Sequence, residues 1–286
     1  MPTTRSRAAL TAALAVATLA GLAGCGAGST ATTPAAAPVQ LPLVTAGTLT
    51  VATDATYAPM ESMEGSKFVG ADVDLVTDLA ARLGLEVVFV QTSFDDLIDT
   101  VAGHRADLVA SSMTDRASRQ EQVDFVDYFI AGSQAVVAGG NPHGLDGPGT
   151  WCGRTAAVNL GTTNGDLVLA QSALCTGSGE APVAVVEVPN GKSADVVAAG
   201  RADFGVEDYP SAAALADASG GTLALAGRPL QAAPYGLAFA KDRTDLRDAV
   251  QRALQESIAS GRYAEILQAH GVEAAALTTT ALNGGA

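Results

Sequence analysis

The chain has 286 residues, 48% of them apolar and only 5% aromatic, with a formal net charge of −14 at neutral pH. The length allows one large or two medium domains, and an apolar set dominated by Ala, Val, Leu and Gly suits α/β layers of small side chains. The acidic balance excludes nucleic acid and anionic surfaces as direct partners, because the chain repels both and offers no Lys/Arg cluster.

Residues 1–24 read as a targeting segment outside the fold. Arg5 and Arg7 are the only charges before Cys25, and Ala8 to Leu22 is an apolar run too short to span a bilayer comfortably. The run ends Leu22-Ala23-Gly24-Cys25, which resembles the lipobox of bacterial lipoproteins. That resemblance implies cleavage before Cys25, a diacylglycerol on its thiol, and anchorage to the outer face of the cell membrane, where two or more acyl chains hold stably. The alternative is an ordinary secretory signal with an incidental cysteine. Residues 25–46 then form the lipidated end and a linker of Ala, Gly, Ser, Thr and Pro without charge or periodicity.

The folded part alternates strands and helices. Thr48 to Thr53 is a strand leading into a loop with its turn at Pro59. Gly70 to Leu83 places Val73, Val76, Leu79, Ala80 and Leu83 on one helical stripe, with Gly84 at its end. Glu86 to Gln91 is a strand, and Asp95 to Ala102 a helix stopped at Gly103. A short strand follows at Asp107 to Ala110. Val123 to Phe125, a turn at Asp127-Tyr128 and a strand Ser133 to Ala138 complete β-α-β-α-β, the order of an open α/β sheet. After breaks at 139–149 a second α/β unit begins. It has strands at 155–159, 183–188, 204–207 and 223–226, and helices at 166–174, 193–199 and 211–218. Gly227-Arg228-Pro229 and Pro234 read as further breaks, followed by a strand Tyr235 to Ala240, an amphipathic helix Leu246 to Ile258, and a short helix Tyr263 to Ala269. Residues 276–286 read as a frayed tail.

Cys152 and Cys175 remain once Cys25 is assigned. In an exported protein such an even pair predicts a disulfide, worth about 3 kcal/mol through chain entropy for a loop of roughly this size. Metal ligation finds no partners, since His104, His143 and His270 are scattered. No metal or cofactor is expected.

The stretch Leu108 to Arg119 carries the chemistry. A buried strand breaks into Ser111-Ser112-Met113-Thr114 and reaches Arg119. A strand end offers free backbone groups, short hydroxyls add donors, and a guanidinium matches a carboxylate bidentately, so this stretch is predicted to hold the carboxylate of a small ligand. Gly200 to Asp208 (GRADFGVED) echoes Gly103 to Ser111 (GHRADLVAS).

Eight segments in order resemble the extracellular solute-binding proteins of polar amino-acid ABC importers, over nearly all of the mature chain. They are Thr50 to Pro59, Val69 to Leu75 (with Ala71 where Phe is common), Ser93 to Ile98, Gly103 to Thr114, Gln122 to Phe125, Leu160 to Thr163 together with Gly200 to Asp208, and Pro234-Tyr235-Gly236. The resemblance implies a two-lobed periplasmic-binding-protein fold of type II, with residues 47–138 plus 234–275 as lobe one and 139–233 as lobe two. It also implies an L-amino acid, polar or charged, bound between the lobes of a monomer that docks on a permease.

By that resemblance Arg119 pairs with the ligand carboxylate, supported by Ser112, Met113 and Thr114, while Ser111 reaches the ammonium. Thr162 and Thr163 open a helix whose N-terminus suits an anion, and Asp208 takes the ammonium. Asp54, Tyr57 and Phe94 line the side-chain end, with Met60 and Glu61 nearby. Arg116 reads as a solvated helix arginine, and Glu207 is expected to point away from the ligand. The competing classes are a cleft enzyme of the same fold acting on prephenate-like acids, for which no nucleophile–base pair is evident, and a sensory ligand-binding module.

Overall fold

Apolar strands separated by glycine-stopped amphipathic helices build the molecule. The computed structural model describes residues 41–286, so Cys25, the targeting segment and most of the linker lie outside the described residues. In chain order, β1 (Thr48–Thr53) is followed by a three-stranded hairpin sheet of β2 (Thr56–Tyr57), β3 (Glu61–Glu64) and β4 (Lys67–Val69). Then come α1 (Ala71–Arg82), β5 (Glu86–Gln91), a short 3₁₀ turn, α2 (Leu97–Ala102), β6 (Leu108–Val109) and α3 (Ala117–Gln120). Next are β7 (Val123–Ala138), β8 (Thr155–Val158), α4 (Thr163–Gly177), β9 (Ala184–Glu187), α5 (Ser193–Ala198), β10 (Phe204–Asp208) and α6 (Tyr209–Ala218). The chain closes with β11 (Leu223–Ala240), α7 (Thr244–Ser260) and α8 (Arg262–Ala269).

Eight strands form one sheet in the order β5-β1-β6-β11-β7-β10-β8-β9. β7 and β11 run antiparallel along most of their length. β6 joins β11 only at Ala238, and β10 joins β7 only from Ser133 onward. The ribbon of β7 and β11 therefore carries two sheet halves, one at each end.

This differs from the sequence expectation in two places. The turn at Asp127-Tyr128 and the breaks at Gly227 to Pro234 do not interrupt the strands. The prolines are accommodated because β11 is bulged, with register shifts between Ala226 and Leu230, Leu230 and Ala233, and Tyr235 and Gly236. The helices lie close to their expected positions, although α4 starts earlier than read.

Each half has its own core. In the first, Leu49, Leu75, Leu79, Phe129, Phe239 and Leu254 pack between the sheet, α1, α7 and α8. In the second, Trp151 packs on Phe204 with ring centroids 4.7 Å apart, beside the disulfide joining Cys152 to Cys175.

The two Arg-Ala-Asp echoes have one structural job. Asp107 accepts hydrogen bonds from the backbone N–H of Thr50 (2.7 Å) and Val44 (2.7 Å), and Asp203 from that of Thr155 (2.8 Å). Each aspartate, standing just before its own strand, thus locks the start of that strand to the neighbouring one.

The tail also departs from expectation. In the first half β7 is an edge strand, and unpaired edges attract partners. Residues 276–286 cover this one. Ala276 bridges Phe129 and Leu282 bridges Val126, while Asn283 Oδ1 accepts from Phe125 N at 2.7 Å.

Candidate functional site

The strand ends of both halves face one cleft. Past β6, Ser112 has φ +46°, and this turn is held from beneath by two buried carboxylates. Glu61 accepts from the hydroxyls of Ser111 (3.2 Å) and Ser112 (2.9 Å), and Asp72 accepts from Ser112 N (3.0 Å) and Tyr128 Oη (2.7 Å). Burial, then the neighbouring Asp72, push Glu61 well above the usual carboxylate range, and burial pushes Asp72 up to about 6. Glu61, expected near the ligand side chain, is instead a support under the serine turn.

Arg119, on α3, is 5% exposed. Its Nη1 donates to Thr114 O at 2.8 Å, and its guanidinium lies 5.3 Å over the Phe94 ring. Burial, then Arg116 nearby, lower it to about 10, so it stays cationic at neutral pH. Among the described residues it pairs with no carboxylate, unlike Arg82, Arg116 or Arg247.

On the opposite wall, Thr162 caps α4. Its hydroxyl accepts from Gly165 N (3.1 Å) and donates to Asn159 O (2.7 Å), which leaves Thr163 as the first helical residue, facing the cleft. Asp208 ends β10 and is 7% exposed. Its carboxylate accepts from Asn164 Nδ2 (3.0 Å) and Tyr235 Oη (2.6 Å). Burial raises its pKa, against those two bonds and the field of Arg119. Glu207 points to the other face of the strand, where it accepts from Ser193 N (3.1 Å) and Oγ (2.6 Å); burial pushes it up to about 7.

The halves touch directly. Tyr57 Oη accepts from Asp208 N at 2.7 Å. Arg116 pairs with Asp166 and donates to Gly161 O at 3.3 Å. Arg116 is therefore not a solvated helix arginine: opposite charge across the cleft draws it over. At Gly191, a Cβ would lie 2.5 Å from Thr56 O, so the two halves meet backbone to backbone.

Of the expected site residues, Tyr57, Phe94, Ser111, Ser112, Thr114, Arg119, Thr162, Thr163 and Asp208 surround one inner chamber of ≈ 10 Å³, space for about one water. A second chamber of ≈ 270 Å³ adjoins it, bounded by Thr114, Arg116, Ser133, Asp166, Asp208 and Ala286. Three expectations are corrected. Asp54 lies behind the wall, where Gln91 Nε2 (3.1 Å) and Phe94 N (3.2 Å) satisfy it. Met113 packs with Leu97, Val109 and Phe125 in an apolar cluster, and Met60 belongs to the first core. Both are long apolar side chains that gain more from a core than from a polar cleft.

Sequence reasoning missed Asn164 and Asn190, which line the inner chamber. Asn164 Oδ1 is buried without a partner. Its place directly after Thr162-Thr163 at a helix start was the available signal. The histidines stay out of the cleft: His104 pairs with Asp242, His143 with Asp203 and His270 with Asp74. Among the described residues no cluster of His, Cys, Asp or Glu could hold a metal.

Chemically, the cleft holds a buried cation and a buried anion on opposite walls, plus a helix N-terminus on the anion's wall. Comparison with known proteins adds to this. Residues 49–273 match the model of the bacterial extracellular solute-binding proteins, family 3. The arginine-binding protein ArgT of Corynebacterium glutamicum is 31% identical over 240 residues, 83% of this chain and 78% of that protein. The lysine/arginine/ornithine-binding periplasmic protein of Escherichia coli is 29% identical over 76% of this chain and 84% of its own. Among solved structures, an ancestral arginine-binding protein bound to arginine superposes with a TM-score of 0.72 at 30% identity, covering 79% of this chain and 98% of that one.

Proposed function

The chain belongs to the bacterial extracellular solute-binding proteins of family 3, and from that premise we propose that it captures an L-amino acid between two closing lobes and delivers it to an ABC import permease. It is a binding protein, not an enzyme. The lobes are residues 47–138 plus 234–275, and 139–233, hinged on β7 and β11. Cys25 carries the lipid that tethers the receptor to the outer face of the membrane, with residues 26–46 as the spacer.

One observation carries the reading: Arg119 and Asp208, both buried, present opposite charges to the same chamber. An isolated buried charge is costly unless it is paired, and a zwitterion pairs both at once. The ligand carboxylate goes to Arg119, with Thr114 and the α4 N-terminus at Thr162 and Thr163. The ammonium goes to Asp208, with the free Oδ1 of Asn164 as a further acceptor. Tyr57 and Phe94 flank the aliphatic part, with Ser111 and Ser112 forming the floor. Because the inner chamber is only ≈ 10 Å³, the lobes part to admit the ligand and reclose on it, which shifts the hinge equilibrium towards closure.

L-Arginine is the first candidate, on the names of the relatives and the acidic rim formed by Asp115, Asp166 and Asp208. A thermal-shift and calorimetry screen of the twenty amino acids tests this. A ligand at a hundred times its dissociation constant adds about 2.7 kcal/mol of stability. If no amino acid raises the melting temperature, the reading fails.

A further inference from the structure

The C-terminal segment, expected to fray, is tied to the part of the cleft that matters most. Along β7, Asp127 N donates to Ala281 O (2.9 Å), and Asn283 N donates to Phe125 O (3.1 Å). Thr280 Oγ1 donates to Asp127 O (2.8 Å). Beyond that edge the segment turns towards the cleft. Gly284 N donates to Asp127 Oδ2 (3.1 Å), and Gly285 N to Asp115 Oδ2 (2.8 Å). Gln120 Nε2 donates both to Gly285 O (3.0 Å) and to Asp115 Oδ1 (2.8 Å).

Asp115 and Gln120 bracket the turn that carries Arg116 and Arg119. A single residue, Gly285, therefore holds both ends of the arginine-bearing turn. The approach admits no side chain: a Cβ on Gly285 would lie 2.1 Å from Asp115 O, and one on Gly284 2.5 Å from Asp127 Oδ2. Ala286, next in the chain, borders the ≈ 270 Å³ chamber beside Arg116 and Asp208.

We propose that Leu277–Ala286 is a strap that aims the arginine-bearing turn, with Asn283, Gly284 and Gly285 as positioning residues for recognition of the ligand carboxylate. The inference rests on the amino-acid reading for the identity of that ligand. Arg119 sits on a helix of one turn, α3, which is too short to hold its own geometry. The strap supplies the missing constraint from the far end of the chain. A guanidinium displaced by a fraction of an ångström loses the bidentate match to a carboxylate but keeps its charge.

The test compares the full-length protein with Gly285→Ala, which adds the clash, and Asn283→Ala, which only releases the anchor on β7. Hydrogen exchange of the ligand-free protein over residues 113–122 should speed up in both, with far-UV circular dichroism unchanged. The dissociation constant for L-arginine should rise about tenfold, the size of one or two lost hydrogen bonds, while that for L-argininamide, which lacks the carboxylate, should change less than about twofold. Three results overturn the proposal: unchanged exchange over 113–122, a faster-exchanging turn with unchanged affinity, or equal weakening of both ligands, which is what a merely structural strap would give. Should the wild type bind no amino acid, the transport reading falls, and the exchange measurement still decides whether the strap holds the turn.

Discussion

The two Arg-Ala-Asp units begin alike and end differently. In each, a glycine stops a helix, an aspartate fastens the strand to its neighbour through a backbone N–H, and the strand runs buried to its polar end. At the end of β6 the chain turns away through serines, and the charge waits ten residues past the strand's last residue, Val109, on Arg119. At the end of β10 the charge is the strand's own last residue, Asp208. The anion is thus placed by the sheet itself and steadied by two neutral donors, Asn164 and Tyr235. The cation stands on a one-turn helix and borrows its position from Phe94, Thr114 O and residues far along the chain. One scaffold is used twice, and the chemistry is decided where each copy stops.

The sharpest break of this comparison is removal of the charges. Arg119→Ala should cost about 3–5 kcal/mol of ligand binding by calorimetry, the usual cost of leaving a desolvated charge without its partner. Asp208→Asn keeps the shape and loses the charge, and should weaken binding by about a hundredfold. If both variants bind like wild type, the cleft assignment is wrong.

The shared scaffold comes next. Asp107→Ala strands two backbone donors and Asp203→Ala one, so urea unfolding should show losses of about 1–3 kcal/mol per stranded group, with Asp107 the larger. Equal losses would mean that the second backbone bond at Asp107, from Val44, adds nothing to stability.

Arg116→Ala removes the cross-cleft pair with Asp166 at the partly exposed rim. Such pairs are worth about 0–1 kcal/mol. The ligand-free protein should open slightly by small-angle scattering, affinity should fall at most a few fold, and the difference should vanish in high salt.

The smallest effect is a pH slope. Burial, with Asp115 beside it, pushes Asp127 up to about 7; burial pushes Glu207 up to about 7 and Asp72 to about 6. These folded-state values lie above the unfolded ones, so the native state holds more protons between roughly pH 4 and 7. Stability should therefore be greatest at the acidic end of that window and decline as pH rises through it. Asp127→Asn should flatten the upper part of the curve; an unchanged slope would remove Asp127 from the account.

The sequence made strands and helices readable wherever local rules decide them. Valine runs, the apolar stripe of α7 and the glycine stops need no distant partner. It hid the continuity of β7 and β11, because Asp127, Pro229 and Pro234 look like breaks, while the groups that reconcile them to a strand come from residues such as Thr280 and Gly284, or from bulges opposite. The same holds at the cleft. Arg119 and Asp208 stood out by residue type and position. The roles of Glu61, Asp72 and Asn164 depend on neighbours about 40 or more residues away, and the tail's low-complexity ending gave no sign that its glycines fit where nothing else can.

Gly191 offers a last consequence. Where it meets the Thr56 carbonyl there is no room for a side chain, so the halves approach there as nearly as main chain allows, with the Thr56 hydroxyl donating to Asn190 O at 3.4 Å beside the contact. For the closing receptor proposed above, the consequence is that the depth of closure is set away from the pocket, so residues around the ligand could change while the closed outline stays the same.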